Sequence, residues 1–359
     1  MSHLSSFRTA LVGAGYDAAI VSDKINQRYL SGFDFDDGLV LVTAGKSYLL
    51  TDFRYVEAAK AQVPPELVIL TPTEGFTVCM SGLLAENGCH TVATEERSMS
   101  CADFERYRTK LSEDTLSGGA SALLTELRLY KDDLELETMA RAQAVTDAAF
   151  AHIVQWIRPE MTEIEVALEL EFFMRRNGAD GTAFETIAVS GSASSRPHGV
   201  PRRRKLEKGF LTMDFGAKVN GYCSDMTRTV VLGCADAEMK RLYQTVLAAQ
   251  KAALERAEEG ASCHGLDKIA RDLINGAGYE GRFGHSLGHG VGMLIHEDPR
   301  LSASAAPDAV LKRGHVVTVE PGIYIEGQYG CRIEDMIAIR SDGKMIDFTQ
   351  SPKELIELF

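Results

Sequence analysis

The sequence predicts two domains: an α/β unit over residues 1–125 and an α+β unit over residues 126–359. Three observations lead there. At 359 residues the chain is long for one hydrophobic core, because single cores stop growing at roughly 250–300 residues. The first third alternates short apolar runs with amphipathic stretches. From Tyr130 onward, long helical stripes interleave with hairpin-forming strands, the mixture of an α+β domain.

In the first domain, Ser5 to Val12 reads as a helix stopped by Gly13 or Gly15, and AAIVSD (18–23) as a buried strand. GLVLVT (38–43) and KSYLLTD (46–52) form a hairpin around Ala44-Gly45, and ELVIL (66–70) and HTVATE (90–95) add strands. GAGYDA (13–18) matches a dinucleotide-binding fingerprint in letters only. That motif needs a strand before its glycines and a helix after them, and here the order is reversed.

In the second domain, Leu136, Met139, Ala142, Val145, Ala149, Ile153 and Ile157 recur at three- and four-residue steps, the stripe of a packed helix. Thr162 to Asn177 opens with a Thr-x-x-Glu capping box and continues as a second helix. Two more helices fit 235–259 and 265–277. Strands fill 184–190, 209–233 and 315–340. No repeat or low-complexity segment interrupts this order.

Composition narrows the function. Hydrophobic residues make up 45% and charged residues 25%, as in ordinary globular proteins. The formal charge of −13 disfavours nucleic acid or an anionic membrane as partner. No apolar run reaches the roughly 18 residues of a membrane span, and the N-terminus lacks the basic start and apolar centre of a signal peptide. Seven scattered cysteines without a C-x-x-C fit reduced thiols, so the expected location is the cytoplasm.

The chemistry sits in carboxylates and histidines. In GFLTMDFGAKVNGYCSDMTRTVVLG (209–233), Asn220-Gly221 is a strong two-residue hairpin turn. Paired positions then sum to 441, so Val219 faces Tyr222, Gly216 faces Asp225 and Asp214 faces Thr227. Asp214 and Asp225 become diagonal neighbours on one face, roughly 7 Å apart or less. Two anions so close repel unless a proton or cation lies between them. Two solvated aspartates are the alternative; flanking Leu211, Met213, Phe215 and Val230 favour a partly buried sheet and a cation. A second pair follows: Glu320 ends an apolar strand before Pro321-Gly322, and Glu334 falls inside the apolar strand IEDMIAI (333–339). A salt bridge from Glu334 to Arg332 or Arg340 is the plainer reading of that residue.

HSLGHGVGMLIHE (285–297) holds three of the nine histidines in one glycine-rich window. Singly, each reads as a hydrogen-bonded loop or core residue. Together with four carboxylates they point to a cleft for two divalent ions, with oxygen-rich ligation that suits Mn²⁺, Co²⁺ or Fe²⁺ at least as well as Zn²⁺. The glycines are expected to let the backbone pass close to the ions and to turn the strand where a larger side chain would clash.

At this point the chain resembles the pita-bread metallopeptidases, the family of Xaa-Pro aminopeptidases, prolidases and methionine aminopeptidases. The resemblance spans the whole chain. YLSGF (29–33) and TDFRYVEAA (51–59) look like a creatinase/prolidase-type N-terminal domain, and RLYKDDLELE (128–137) like its linker. RPHGVP (196–201), DFGAKVNGYCSDMTRT (214–229), HSLGHGVGMLIHEDPR (285–300), VEPGIY (319–324) and RIED (332–335) match the catalytic blocks in order. The implied fold is an α/β N-terminal domain plus an α+β pita-bread catalytic domain.

The resemblance also implies roles. Asp214 would chelate one metal ion, Asp225 and Glu334 would bridge two, and His289 and Glu320 would complete the other. Mn²⁺ is the favoured ion, with Co²⁺, Fe²⁺ or Zn²⁺ also suited. Glu320 matches a proton shuttle. His198 and His296 match histidines that steady the substrate and the tetrahedral intermediate. His285 matches a histidine beside the ligands or on the substrate, and Arg300 an arginine that receives a dipeptide carboxylate.

The expected activity is a dimetal Xaa-Pro aminopeptidase on proline-containing peptides, with a Xaa-Pro dipeptidase (prolidase) as alternative. Methionine aminopeptidase fits less well, because the first domain would be surplus. An inactive peptide-binding module or a metal-free amidinohydrolase is disfavoured by the complete ligand set. A homodimer is implied, with the first domain reaching towards the neighbour's site. The acidic turn DFDD (34–37) is then either a contributor to that site or a solvated turn.

Overall fold

The computed structural model describes residues 2–111 and 116–359. They divide into two compact units, Met1–Arg128 and Leu129–Phe359.

The first unit is built on one six-stranded sheet. In chain order its strands are β1 (Ala18–Val21), β2 (Gly38–Thr43), β3 (Ser47–Thr51), β4 (Leu67–Leu70), β5 (Val92–Thr94) and β6 (Leu116–Gly118). Their spatial order is β4-β3-β2-β1-β5-β6. β1, β2 and β3 are antiparallel neighbours, and parallel strands flank them on both sides. AAIV of β1 is buried at every position, which is why it reads as a continuous apolar run. Gly13 ends helix α1 (His3–Gly13) and Gly15 lies between it and β1, the reverse of the strand-then-helix order a dinucleotide fingerprint needs. The acidic turn is paired inside this unit: Arg28 meets Asp34, Lys24 meets Asp36, and Arg54 meets Asp37 at 2.6 Å.

The second unit opens with two long helices, α2 (Asp133–Trp156) and α3 (Glu163–Arg176). Both start in capping boxes, Asp132 with Glu135 and Thr162 with Glu165, which satisfy the first free backbone N–H groups. Their apolar stripes, including Ile153, Val166 and Leu170, pack on a sheet through Met213, Phe215 and Met226. Two later helices are displaced from the expected spans. One covers Ala237–Leu254, because Asp236 accepts from Met239 N at 2.8 Å and starts it. The other begins at Cys263, because Ser262 accepts from Gly265 N at 3.1 Å. No helix among the described residues is long and apolar enough to cross a membrane.

Two sheets carry the candidate residues. In the first, β7 (Ile187–Ser190), β8 (Gly209–Phe215) and β9 (Met226–Leu232) are antiparallel neighbours. The pairing is the expected one: Val219 faces Tyr222, Phe215 faces Met226 and Asp214 faces Thr227. Asn220 and Gly221 both have positive φ, 48° and 82°, as the tight hairpin turn requires. In the second, β10 (Gly288–Gly290) lies between β11 (Glu297–Leu301) and β12 (Val316–Val319), and β12 pairs with β13 (Asp335–Ile339).

Candidate active site and metal centre

Each candidate ligand sits where one of these strands ends, bulges or breaks. Asp214 is the penultimate residue of β8, Asp225 precedes β9, His289 centres β10, and Glu320 follows β12. Glu334 was expected inside an apolar strand. It lies instead in the break between a short strand, Tyr329–Arg332, and β13. There its N–H donates to Thr227 O at 3.1 Å, stitching the two sheets together. The neighbouring Asp335 is the structural carboxylate, fully buried and held by Arg228 at 2.8 Å and by Lys353.

The glycines of the histidine window serve strand packing. A Cβ on Gly288 would lie 1.9 Å from Thr318 O, and one on Gly290 2.1 Å from Asp298 O. Both clashes are with backbone of a neighbouring segment, so these glycines permit close passage of strand to strand where a larger side chain would not fit. That proximity sets His289 against the ends of β12 and β9.

One cavity of about 410 Å³ is lined by all nine candidate residues: Asp214, Asp225, His285, His289, His296, Arg300, Glu320, Glu334 and His198. Its size suits a small peptide. On the floor, donor atoms of Asp225, His289 and Glu334 lie within 4.8 Å of one another. His289 Nε2 is 3.5 Å from Asp225 Oδ2 and 3.4 Å from Glu320 Oε1. His289 Nδ1 is 3.0 Å from Gly290 O. A carbonyl only accepts, so Nδ1 carries the hydrogen and Nε2 faces the carboxylates with its lone pair, the tautomer a metal ligand needs. Burial pushes the His289 imidazolium down to about 3, so the ring is neutral at physiological pH.

The carboxylates are in the opposite condition. Burial, then Glu334 and Asp214, hold Asp225 well above the usual range. Burial and Glu320 do the same to Glu334. Burial pushes Glu320 up to about 7 against the pull of Arg332. Asp214 Oδ1 is buried without a hydrogen-bond partner. Four clustered carboxylates, one buried oxygen with lone pairs unused and one bare imidazole nitrogen form a donor set for divalent cations. The residues present therefore fit a metal centre, and without cations their charges cannot all stand together.

Arg332 and its neighbours were not singled out for the site by the sequence. Arg332 reads there as a salt-bridge partner for Glu334, but its Nη2 meets Asp214 Oδ2 at 2.6 Å. Its Nε donates to Thr227 Oγ1 at 2.9 Å, and Thr227 Oγ1 donates to Glu334 Oε2 at 2.6 Å. Its Nη1 donates to Tyr324 OH at 2.8 Å. The Tyr324 hydroxyl lies 3.0 Å from His285 Nε2, while His285 Nδ1 is 2.9 Å from Ser286 O and carries the hydrogen. Tyr324 therefore donates to His285, which burial holds neutral, its pKa down to about 4. The signal for Arg332 was its position beside a carboxylate in RIED; nothing local marks Thr227 or Tyr324.

The mouth differs from the floor. His198, His296 and Arg300 are exposed there, with Phe184, Ile187, Val200 and Ile295 supplying apolar wall. The His296 ring stands edge-on to His289, centroids 4.4 Å apart. The cleft thus pairs a floor of carboxylates with a rim of imidazoles, the Arg300 guanidinium and apolar side chains.

Fold and site define a hydrolase-type centre for divalent cations carried by a two-unit chain. The chain belongs to metallopeptidase family M24, whose profile matches residues 137–341, and a creatinase/prolidase N-terminal domain matches residues 3–130. It is a metallopeptidase with the pita-bread fold. A Xaa-Pro dipeptidase of Pyrococcus horikoshii is 35% identical over 95% of this chain and 94% of its own. A solved Xaa-Pro dipeptidase of Bacillus anthracis superposes with a TM-score of 0.93, at 38% identity, over 99% of both chains. An X-Pro aminopeptidase of Thermotoga maritima gives a TM-score of 0.91 at 34% identity, over 98% of this chain and 100% of that one.

Proposed function

We propose that the protein is a dimetal Xaa-Pro dipeptidase, hydrolysing the bond between an N-terminal residue and proline. The single observation that carries the chemistry is the buried cluster of Asp225, His289 and Glu334, flanked by Asp214 and Glu320. The preference for dipeptides reverses the order drawn from the sequence alone and is supported by the names of the similar proteins, more of which are dipeptidases. The Thermotoga protein supports Xaa-Pro aminopeptidase as the second reading.

In this reading Asp214, Asp225, His289, Glu320 and Glu334 hold two divalent ions, with Mn²⁺ the favoured species. When bound, the ions supply Lewis acidity to the scissile carbonyl and acidify water. The chain's own groups do the rest. Glu320 accepts a proton from the attacking water at a carboxylate oxygen and delivers it to the leaving nitrogen. The C–N bond breaks as that nitrogen becomes the proline amine. His198 and His296 donate to the oxygen that gains charge in the tetrahedral intermediate. Arg300 at the rim receives the carboxylate of the dipeptide, and the apolar wall takes the proline ring.

A peptide panel separates the readings. Hydrolysis of Xaa-Pro and none of Xaa-Pro-Yaa-Zaa is expected; efficient release of Xaa from the longer peptide would establish the aminopeptidase reading instead. A homodimer is part of the proposal, checked by light scattering. So is a cytoplasmic location, which the seven free cysteines support.

A further inference from the structure

His296 and Arg300 reach the cavity from a segment that contributes no candidate ligand: Arg300 lies in β11, paired with β10, while His296 ends the turn just ahead of that strand. The turn from Gly292 to Glu297 is folded around one carboxylate. Glu297 Oε1 accepts from Leu294 N at 3.1 Å, and Gly292 N donates to Leu294 O at 3.0 Å. A Cβ on Gly292 would stand 2.4 Å from Glu297 Oε2, so the last glycine of the histidine window makes room for that side chain. Gly292 O in turn accepts from Cys223 N at 2.8 Å. Glu297 also opens β11, opposite Gly290 of β10.

The other Glu297 oxygen meets Lys131. Lys131 Nζ lies 3.1 Å from Glu297 Oε2, with the two side chains only 1% and 6% exposed. An ammonium so enclosed is rare and tolerated only when paired. Lys131 is itself anchored by its backbone N–H, which donates to Gly314 O at 2.9 Å just ahead of β12. A residue 165 positions away in sequence from His296 is thereby tied to the turn that carries it.

We propose that Lys131 is a positioning residue: through Glu297 it fixes the 292–297 turn, and so sets His296 and Arg300 against the substrate. It does not line the cavity. Removing either member loosens the turn, and removing both loosens the same turn only once. The two residues therefore act as a unit, and their effects on turnover do not add. The inference rests on the peptidase reading above.

The test uses the full chain loaded with Mn²⁺, as wild type, K131M, E297Q, K131M/E297Q and K131R. Whether wild type cleaves Xaa-Pro tests the peptidase reading; the ratio of variant to wild type, on whichever peptide wild type cleaves, tests the strut. K131M and E297Q are each expected to lower kcat/KM at least tenfold, with kcat falling and KM rising. The double variant, which breaks the same strut, is expected to lose no more than the worse single. K131R restores part of the loss, bound metal stays at the wild-type level, and amide exchange across 292–297 speeds up. Full activity in the double variant, losses that multiply, losses matched by lost metal, or unchanged exchange in the turn would each overturn the proposal.

Discussion

Arg332 Nη2 donates to Asp214 Oδ2 at 2.6 Å while Asp214 Oδ1 stays buried with no hydrogen-bond partner. One oxygen is thus claimed by the protein, and the other is the one Asp214 would offer a cation in the proposed centre. The same guanidinium reaches Thr227, which holds Glu334, and Tyr324, which holds His285. Arg332→Met is expected to weaken metal binding and to lower kcat/KM by roughly 10- to 100-fold, the usual cost of losing a group that orients ligands. Arg332→Lys should not rescue it, because one ammonium cannot replace three directed N–H donors. Isothermal titration of Mn²⁺ and steady-state kinetics check both statements.

Asp225 is the carboxylate most crowded by other carboxylates. Asp225→Asn removes the charge of a proposed metal ligand, and activity is expected to fall on the order of a thousandfold with loss of bound metal. The metal-free variant should nevertheless melt higher than metal-free wild type, since a buried repulsion is gone. Elemental analysis and calorimetry on the same sample read both effects; a lower melting temperature would count against the crowding.

The raised carboxylates give the metal-free protein a definite pH response. Glu320, with its folded value at about 7, contributes stability that is present below its ordinary range near 4.5 and is lost as pH rises through about 7. Asp225 and Glu334 act in the same direction. His289 and His285, lowered to about 3 and about 4, oppose this only below about 6.5, where the unfolded rings still bind protons. Between pH 6.5 and 8 the metal-free protein is therefore expected to lose stability. Added Mn²⁺ should flatten the slope by binding the folded state. Thermal melts at four pH values, with and without metal, check this.

Gly288 tests the architecture without touching a ligand. In Gly288→Ala the new Cβ would overlap Thr318 O, forcing β10 away from β12 at a cost of about 1–3 kcal/mol or more. His289 moves with β10, so metal affinity should fall together with stability. Denaturant melts and metal titration together decide it.

Much of this was legible in the sequence. Asn220-Gly221 fixed the hairpin register, because a two-residue turn leaves no freedom of pairing, and that register put Asp214 opposite Thr227. The capping boxes at Asp132 and Thr162 are local chemistry, and Thr162 was readable as written. Glu334 was harder: IEDMIAI reads as one strand, and only the hydrogen bond to Thr227 from another sheet reveals the break. Arg332, Tyr324 and Lys131 matter through partners 118, 39 and 166 positions away, and no local pattern encodes such meetings. The glycine window was marked as a place where larger side chains would clash, and the partners of that clash, Thr318 O and Asp298 O, lie on segments the local sequence does not reveal.

The most direct test strips the protein of metal with a chelator and then titrates Mn²⁺ while recording bound ions and Xaa-Pro hydrolysis together. The account predicts no hydrolysis in the metal-free protein, two ions per chain at saturation, and activity that returns as they bind. Hydrolysis that survives exhaustive chelation, or a folded protein that takes up no divalent ion, would contradict it.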